Sequence, residues 1–271
     1  MQNNKLCRAG LGDERKLLEV VCPFRMFMVE SNKFCLVTGA SSGIGKHIAY
    51  EMAHRDWKVI AIARRSDKLE KLAKYLGEDK LIPIVCDVSK FDQVREVSTE
   101  LINKKIYPSL FFLNAGDGDE EDDKGLNWEF HKRIFEVNYF GVISWVSQWI
   151  PVLKEKGGGT FVGTSSLQSF ISMPGAAAYG SSKSALSYSF KSLDAMYYKD
   201  NIRFALVYPG PVDTANLKTD KPLPSTWKPE KAAKYIVKKV LKGSTKIKFP
   251  LRWVLLTGIA KCLPNRVFRM K

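Results

Sequence analysis

The segment Thr38-Gly-Ala-Ser-Ser-Gly-Ile-Gly45 constrains the fold more than any other part of the chain. A short apolar run, Phe34–Thr38, leads into it, and a helical pattern over residues 44–54 leads out. A strand that turns sharply into a helix leaves free N–H groups and the positive end of the helix dipole at the turn, a setting suited to phosphate. Gly39 permits the turn, Gly43 removes a side chain where a pyrophosphate would approach, and Gly45 lets helix and strand pack closely. Ser41, Ser42 and Ile44 occupy the positions between. A glycine cluster alone is a weak signal. The strand–turn–helix setting and the TGxxxGxG spacing make this one restrictive.

The same alternation continues along the chain. Apolar runs predict strands at 57–63, 81–86, 109–113, 160–163 and 203–208, and Pro83 predicts that the third strand lies at an edge. Between them, helical periodicity runs from a Ser66 cap through Leu69, Leu72, Ala73 and Leu76, from Ser89 to about residue 103, and over 127–156 and 175–198. Short strands alternating with helices imply crossover connections and a parallel sheet covered on both faces. The expected architecture is therefore α/β: a doubly wound, mostly parallel dinucleotide-binding sheet, the Rossmann fold. Its second strand ends in Ala63-Arg64-Arg65. Such sheets select NAD with an acid at this point, and none occurs here. Two guanidiniums can instead grip a 2′-phosphate, which favours NADP(H) over NAD(H).

Tyr179-Gly-Ser-Ser-Lys183 carries the chemistry. Positions i and i+4 share one helix face, and an ammonium beside a phenol favours the phenolate, lowering its pKa from about 10. The phenol can then give a proton to a carbonyl oxygen, or take one in the reverse direction. The spacing recurs at Tyr235…Lys239, so its surroundings decide. Thirteen residues before Tyr179 stands Ser166, whose hydroxyl can hold a substrate oxygen; thirteen before Tyr235 stands Pro222, which has none. Ser165 is the near competitor of Ser166 for that role.

Together these pieces resemble the short-chain dehydrogenase/reductase family. The matching residues are Thr38–Gly45, Asp87-Val88, Asn114-Ala115-Gly116, Asn138, Ser165-Ser166, Tyr179…Lys183 and Pro209-Gly210…Thr214, in the family's order over roughly residues 33–245. The resemblance implies a seven-stranded sheet, with Asp87 and Val88 beside the adenine and Asn114, Ala115 and Gly116 lining the cofactor. It implies that Asn138 holds a water leading to Lys183, and that Lys183 bonds the nicotinamide ribose. Pro209, Gly210, Val212 and Thr214 would contact the nicotinamide end, and hydride transfer would use the si face. It also implies a homodimer or homotetramer built on the helices at 127–156 and 175–198. Bland alternatives exist: Asn138 can cap a bend in its helix, and Asp87 can cap the turn after the third strand.

Net charge refines the domain picture. Residues 221–271 hold fourteen Lys/Arg against one acid, Glu230, so +13 of the total +15 lies there. Residues 1–32 lack a clear period and read as a weakly ordered N-terminal extension, with Met26 and Met28 just ahead of the first strand. Residues 33–249 form the catalytic domain, with a Pro-rich lid at 213–229 and an amphipathic helix at 230–242. Residues 250–271 form an apolar, basic tail. That tail can lie in a membrane interface, pack on a neighbouring subunit, or cover its own domain. No stretch approaches the roughly 18 apolar residues of a bilayer span. Asp117–Asp123, six acids in seven residues, reads as a solvated loop or as a screen against anionic substrates.

Five widely spaced cysteines without a CxxC pair indicate a reducing compartment, hence the cytoplasm, with peripheral contact at the inner membrane face if the tail binds lipid. The three histidines lack metal-ligand spacing, and His47 and His54 read as surface or packing residues. The chain lacks a nucleic-acid recognition motif or stacking aromatics to accompany its basic end. The expected partner is a small carbonyl or alcohol, hydrophobic if the tail meets lipid. The competing function is a catalytically silent NADP(H)-binding sensor or membrane-surface scaffold on the same fold.

Overall fold

A computed structural model describes residues 33–119, 126–215, 217 and 223–264. The N-terminal extension, acidic residues 120–123, most of lid segment 216–222 and the last seven residues lie outside the described residues. Seven strands form one sheet in the order β3-β2-β1-β4-β5-β6-β7, and every pairing is parallel. They are β1 (Phe34–Thr38), β2 (Lys58–Ala63), β3 (Leu81–Val85), β4 (Leu110–Leu113), β5 (Gly159–Thr164), β6 (Ile202–Pro209) and β7 (Lys246–Phe249). Pro83 lies in β3, at the sheet edge, opposite Ala61. There its missing N–H breaks no central ladder. The last strand, β7, is too short and lysine-rich (Lys-Ile-Lys-Phe) to stand out by alternation.

Two apolar layers sandwich the sheet. One gathers α1 (Gly43–Ala53), α2 (Ser66–Leu76) and α7 (Pro229–Leu241) through Ile48, Met52, Leu69, Ile236 and Val240. The other gathers α3 (Phe91–Asn103), α5 (Gly141–Glu155) and α6 (Ala177–Tyr197) through Leu101, Trp145, Trp149, Leu186 and Phe190. Burial on both faces explains why the central strands read as continuous apolar runs rather than alternations. His47, on α1, reaches toward α7, its Nε2 3.2 Å from the Glu230 carboxylate.

Several boundaries differ from the sequence reading, each for a local reason. Ser66 is the first residue of α2 rather than its cap; Arg65 takes the cap position. Helix α3 begins at Phe91, because the Ser89 N–H and hydroxyl both donate to Asp87 Oδ1, at 3.0 and 2.8 Å. The long helix at 127–156 is three pieces: α4 (Trp128–Phe135), a π-helical turn (Glu136–Phe140) and α5. Asn138 sits in the π turn, fully buried. Wider π turns inside α-helices often mark functional positions.

The C-terminal region is not a detached tail as far as residue 264. It forms α8 (Leu251–Ala260), whose Trp253 donates its indole N–H to the Pro224 carbonyl at 2.8 Å. A side chain on Gly210 would meet Trp253 Cβ at 3.2 Å, so α8 lies directly on the chain leaving β6. Of the three alternatives for this region, packing on its own domain is realised by one face of the helix. No helix among the described residues is long and apolar enough to cross a membrane.

Candidate active site

All the loops at the carboxyl ends of β1 to β6 open onto one cleft of about 770 Å³. Strand order reverses between β1 and β4, the switch point where open α/β sheets bind ligands. The volume lies within the roughly 300–1,000 Å³ usual for cofactor and ligand sites. Gly39, Ser41, Ser42, Gly43 and Ile44 line it, followed by Arg64 and Arg65, Asp87 and Val88, and Asn114, Ala115 and Gly116. Ser166, Tyr179, Lys183, Pro209, Gly210, Val212 and Thr214 complete the expected set on its walls. Two expected residues do not line it: Gly45 is buried beneath the turn, and Asn138 is buried behind Asp117.

The glycine turn fits a close-approaching ligand for measurable reasons. Gly43 has φ +54°, and a Cβ there would sit 3.1 Å from the Thr214 methyl. A Cβ on Gly45 would lie 2.4 Å from the Gly39 carbonyl oxygen and 2.7 Å from Asn114 Nδ2, so the packing under the turn excludes a side chain. Thr38, whose place in the motif is plain but whose role is not, accepts the backbone N–H groups of Asn114 and Ala115, both at 3.0 Å. That pair of bonds fastens the β4 loop to the end of β1. The Ser42 side chain caps nothing, and the first turn of α1 carries no acid, so its free N–H groups and dipole face the cleft. Arg65 reaches over the turn: one guanidinium nitrogen lies 2.8 Å from both Ser41 Oγ and Ser42 Oγ. Asp87 takes up the capping role described above while also lining the cleft.

Helix α6 brings Tyr179 and Lys183 to the end of β5. Lys183 is 3% exposed, and its ammonium donates to the Thr164 carbonyl at 2.9 Å. It stands 5.8 Å from the centre of the Tyr179 ring. Ser166 is a hydrogen-bond partner of the Tyr179 phenol, and its Oγ also accepts the Gln168 N–H at 3.1 Å. Ser165 is turned away, buried, with its Oγ donating to the Lys183 carbonyl at 3.0 Å and 2.7 Å from Ser187 Oγ. The geometry therefore separates the two serines: Ser165 fixes α6 to β5, and Ser166 faces the phenol. Tyr235 packs edge-on against Trp227 and Phe249, so the second YxxxK belongs to the core beside α7.

The Asn138 side chain is fully employed in positioning Asp117. Its Oδ1 accepts the Asp117 N–H at 2.8 Å, and its Nδ2 donates to the Asp117 carbonyl at 2.9 Å and to Ser182 Oγ at 3.2 Å. Gly116 is pressed between Asn138 and Lys183: a Cβ would lie 3.1 Å from Asn138 Oδ1 and 3.2 Å from Lys183 Nζ. Asp117 and Asp119 are both paired with Arg133, so the start of the acidic loop is folded and partly neutralised rather than a free anionic screen.

Burial dominates the proton affinities. It lowers Lys183 to about 8, with the Asp117 carboxylate pulling back upward. It also raises the Tyr179 phenol, with the Ser166 hydrogen bond opposing. The expected net lowering of the phenol by its neighbouring ammonium is thus not delivered by the protein alone. Desolvation of the phenolate is the dominant effect, and only the Ser166 hydrogen bond opposes it.

The cleft is also lined by residues to which the sequence assigns no site role: Gln168, Ile171 and Met173 after β5, and Trp253 and Thr257 from α8. Leu217 and Leu223, the lid's apolar residues, join them.

A parallel doubly wound sheet with this glycine turn and a Ser–Tyr–Lys cluster defines a nucleotide-binding oxidoreductase. The model of the short chain dehydrogenase family matches residues 33–223. An uncharacterized oxidoreductase of Myxococcus xanthus is 33% identical over 242 residues, covering 88% of this chain and 95% of that protein. The alcohol dehydrogenase of the archaeon Thermococcus sibiricus, solved in complex with 5-hydroxy-NADP, superposes with a TM-score of 0.72 at 28% identity, over 80% of this chain and 95% of that one. A 3-ketoacyl-(acyl-carrier-protein) reductase of Brucella melitensis, solved with NADH, has the same fold at 24% identity (TM-score 0.73, 80% of this chain, 96% of that one). The chain belongs to the short-chain dehydrogenase/reductase family and is an oxidoreductase.

The buried ammonium supplies a direct test. A lysine held near 8, against 10.5 in the unfolded chain, weakens the fold below pH 8, and the cost fades as pH rises toward 10.5. Cofactor-free Lys183→Met should therefore be more stable than the parent at pH 7 in urea melts, by at most about 3 kcal/mol. The difference should narrow above pH 8. Equal stability at pH 7, or a pH-independent difference, would contradict this burial.

Proposed function

We propose that the chain is an NADP(H)-dependent oxidoreductase that interconverts a ketone or aldehyde with its alcohol, using Tyr179 as general acid and base. The observation that carries this reading is the meeting of the Tyr179 phenol, the Ser166 hydroxyl and the Lys183 ammonium on the wall of a dinucleotide-sized cleft. When bound, the cofactor supplies or takes up the hydride. Ser166 holds the substrate oxygen against the phenol, which donates its proton in reduction and recovers it in oxidation. Lys183 places positive charge where the phenolate forms, and Asn138 fixes the Asp117 backbone beside Gly116. The fit of a dinucleotide rests on the positive-φ Gly43 and the first turn of α1, which no side chain caps.

The preference for NADP(H) rests on Arg65, held over the glycine turn, with Arg64 beside it and no acid at the end of β2. The Thermococcus neighbour was solved with an NADP derivative and the Brucella neighbour with NADH, so these arginines alone support the preference. Arg65→Ala should weaken NADPH binding roughly 10- to 100-fold, the worth of a charge-assisted contact, and leave NADH binding nearly unchanged in fluorescence titrations. Equal loss for both cofactors would refute the assignment.

Self-association into a homodimer or homotetramer through α4–α6 is part of the same reading. Phe140, Tyr188 and Met196 stand 57%, 76% and 69% exposed on these elements. Free Cys35, Cys86 and Cys262 suit a cytoplasmic setting.

Tyr179→Phe should lower NADPH oxidation with a panel of ketones, aldehydes and quinones by roughly 10²- to 10⁴-fold while NADPH still binds. Cofactor binding without turnover in the parent protein, unchanged by the substitution, would favour the sensor instead.

A further inference from the structure

Helix α8 has one face that its own domain does not cover. Trp253 and Thr257 line the cleft, whereas Leu251, Leu255, Leu256 and Ile259 are 71%, 59%, 53% and 63% exposed. Residues 251, 255 and 259 follow one another at i+4 and share a side of the helix, with Leu256 alongside. A contiguous aliphatic strip of this kind marks a docking surface rather than scattered surface residues.

The charge around the strip identifies what docks. Arg252 is exposed on α8 itself, Lys261 is exposed directly after its last turn and Lys246 at the start of β7, which leads into it, and no acidic residue occurs in the sequence from 231 to 264. Lys248 lies among them; burial first, then the charges of Lys246, Lys261 and Lys191, hold its ammonium below the ordinary lysine range. This end of the chain therefore concentrates positive charge, with no acidic residue in the sequence around it. A symmetric contact with a second copy would set two such clusters against each other, a like-charge arrangement that disfavours association. A bilayer bearing anionic lipid offers both an apolar phase for the leucines and counter-charge for the lysines. At ten residues the helix is about 15 Å long, so it lies in the interface instead of crossing it.

We infer that α8 is a membrane-docking element that seats its leucine strip and flanking cations on an anionic bilayer surface, with the cleft wall formed by Trp253 and Thr257 beside it. This assignment concerns a surface and holds whatever reaction the cleft performs.

Flotation of the full chain with vesicles tests it. Binding is expected to vesicles of phosphatidylcholine containing about 30% phosphatidylserine, and to fall with added salt. Phosphatidylcholine alone should bind far more weakly. Leu255→Asp/Leu256→Asp should abolish binding, and Lys246→Gln or Lys261→Gln should each weaken it about fivefold. NADPH binding should be the same in all variants, because none of these side chains lines the cleft; that control separates a lost surface from a lost fold. Absence of binding to the anionic vesicles overturns the inference, as does binding unchanged in the double Asp variant. A parent dimer that becomes a monomer in the double Asp variant, measured by light scattering, would also overturn it and assign the strip to a second copy.

Discussion

The site depends on one buried contact. The Lys183 ammonium, shut off from water, donates to the Thr164 carbonyl at the last residue of β5. That bond fixes the register of α6 against the sheet and thereby sets where Tyr179, one turn earlier, meets Ser166. Ser165 reinforces it from the other side by donating to the Lys183 carbonyl. Burying an ammonium is costly, and this one loses proton affinity in consequence. The arrangement thus sacrifices stability to hold a charge where a phenolate would form, a cost that tends to gather at functional sites.

The other half of the cleft is governed by exclusion. Gly39, Gly43 and Gly45 leave room where three chain segments converge, and Thr38 fastens the β4 loop to the same point. The glycine turn and the Ser–Tyr–Lys cluster lie on opposite sides of β4, joined by Asn114, which donates its backbone N–H to Thr38 and accepts the Thr164 hydroxyl at 3.3 Å. A dinucleotide lying along the strand ends would touch both.

Much of this was legible in the sequence because the signals are local. The glycine spacing, the Tyr179–Lys183 offset and the fully apolar central strands each reflect a backbone period or a steric limit that a short window contains. What escaped depends on contacts distant in the chain. Nothing near Asn138 reveals a π turn whose side chain clasps Asp117, and the choice of Ser166 over Ser165 rests on spacing alone until α6 is docked. β7 is four residues with alternating lysines, recognisable as a strand only by its pairing with β6. Trp253 read equally well as lipid-facing or core-facing until Pro224 and Gly210 were seen beside it. The direction of the phenol's shift is a further case: the Tyr179–Lys183 offset is readable, whereas the burial that raises the phenol is not.

The decisive measurement is a crystal structure of the protein with NADPH and a carbonyl inhibitor. The nicotinamide is expected between Tyr179 and Val212, the inhibitor oxygen shared by the Tyr179 and Ser166 hydroxyls, and the 2′-phosphate against Arg65. Density that places the nicotinamide away from Tyr179, or an inhibitor oxygen touching neither hydroxyl, would contradict it.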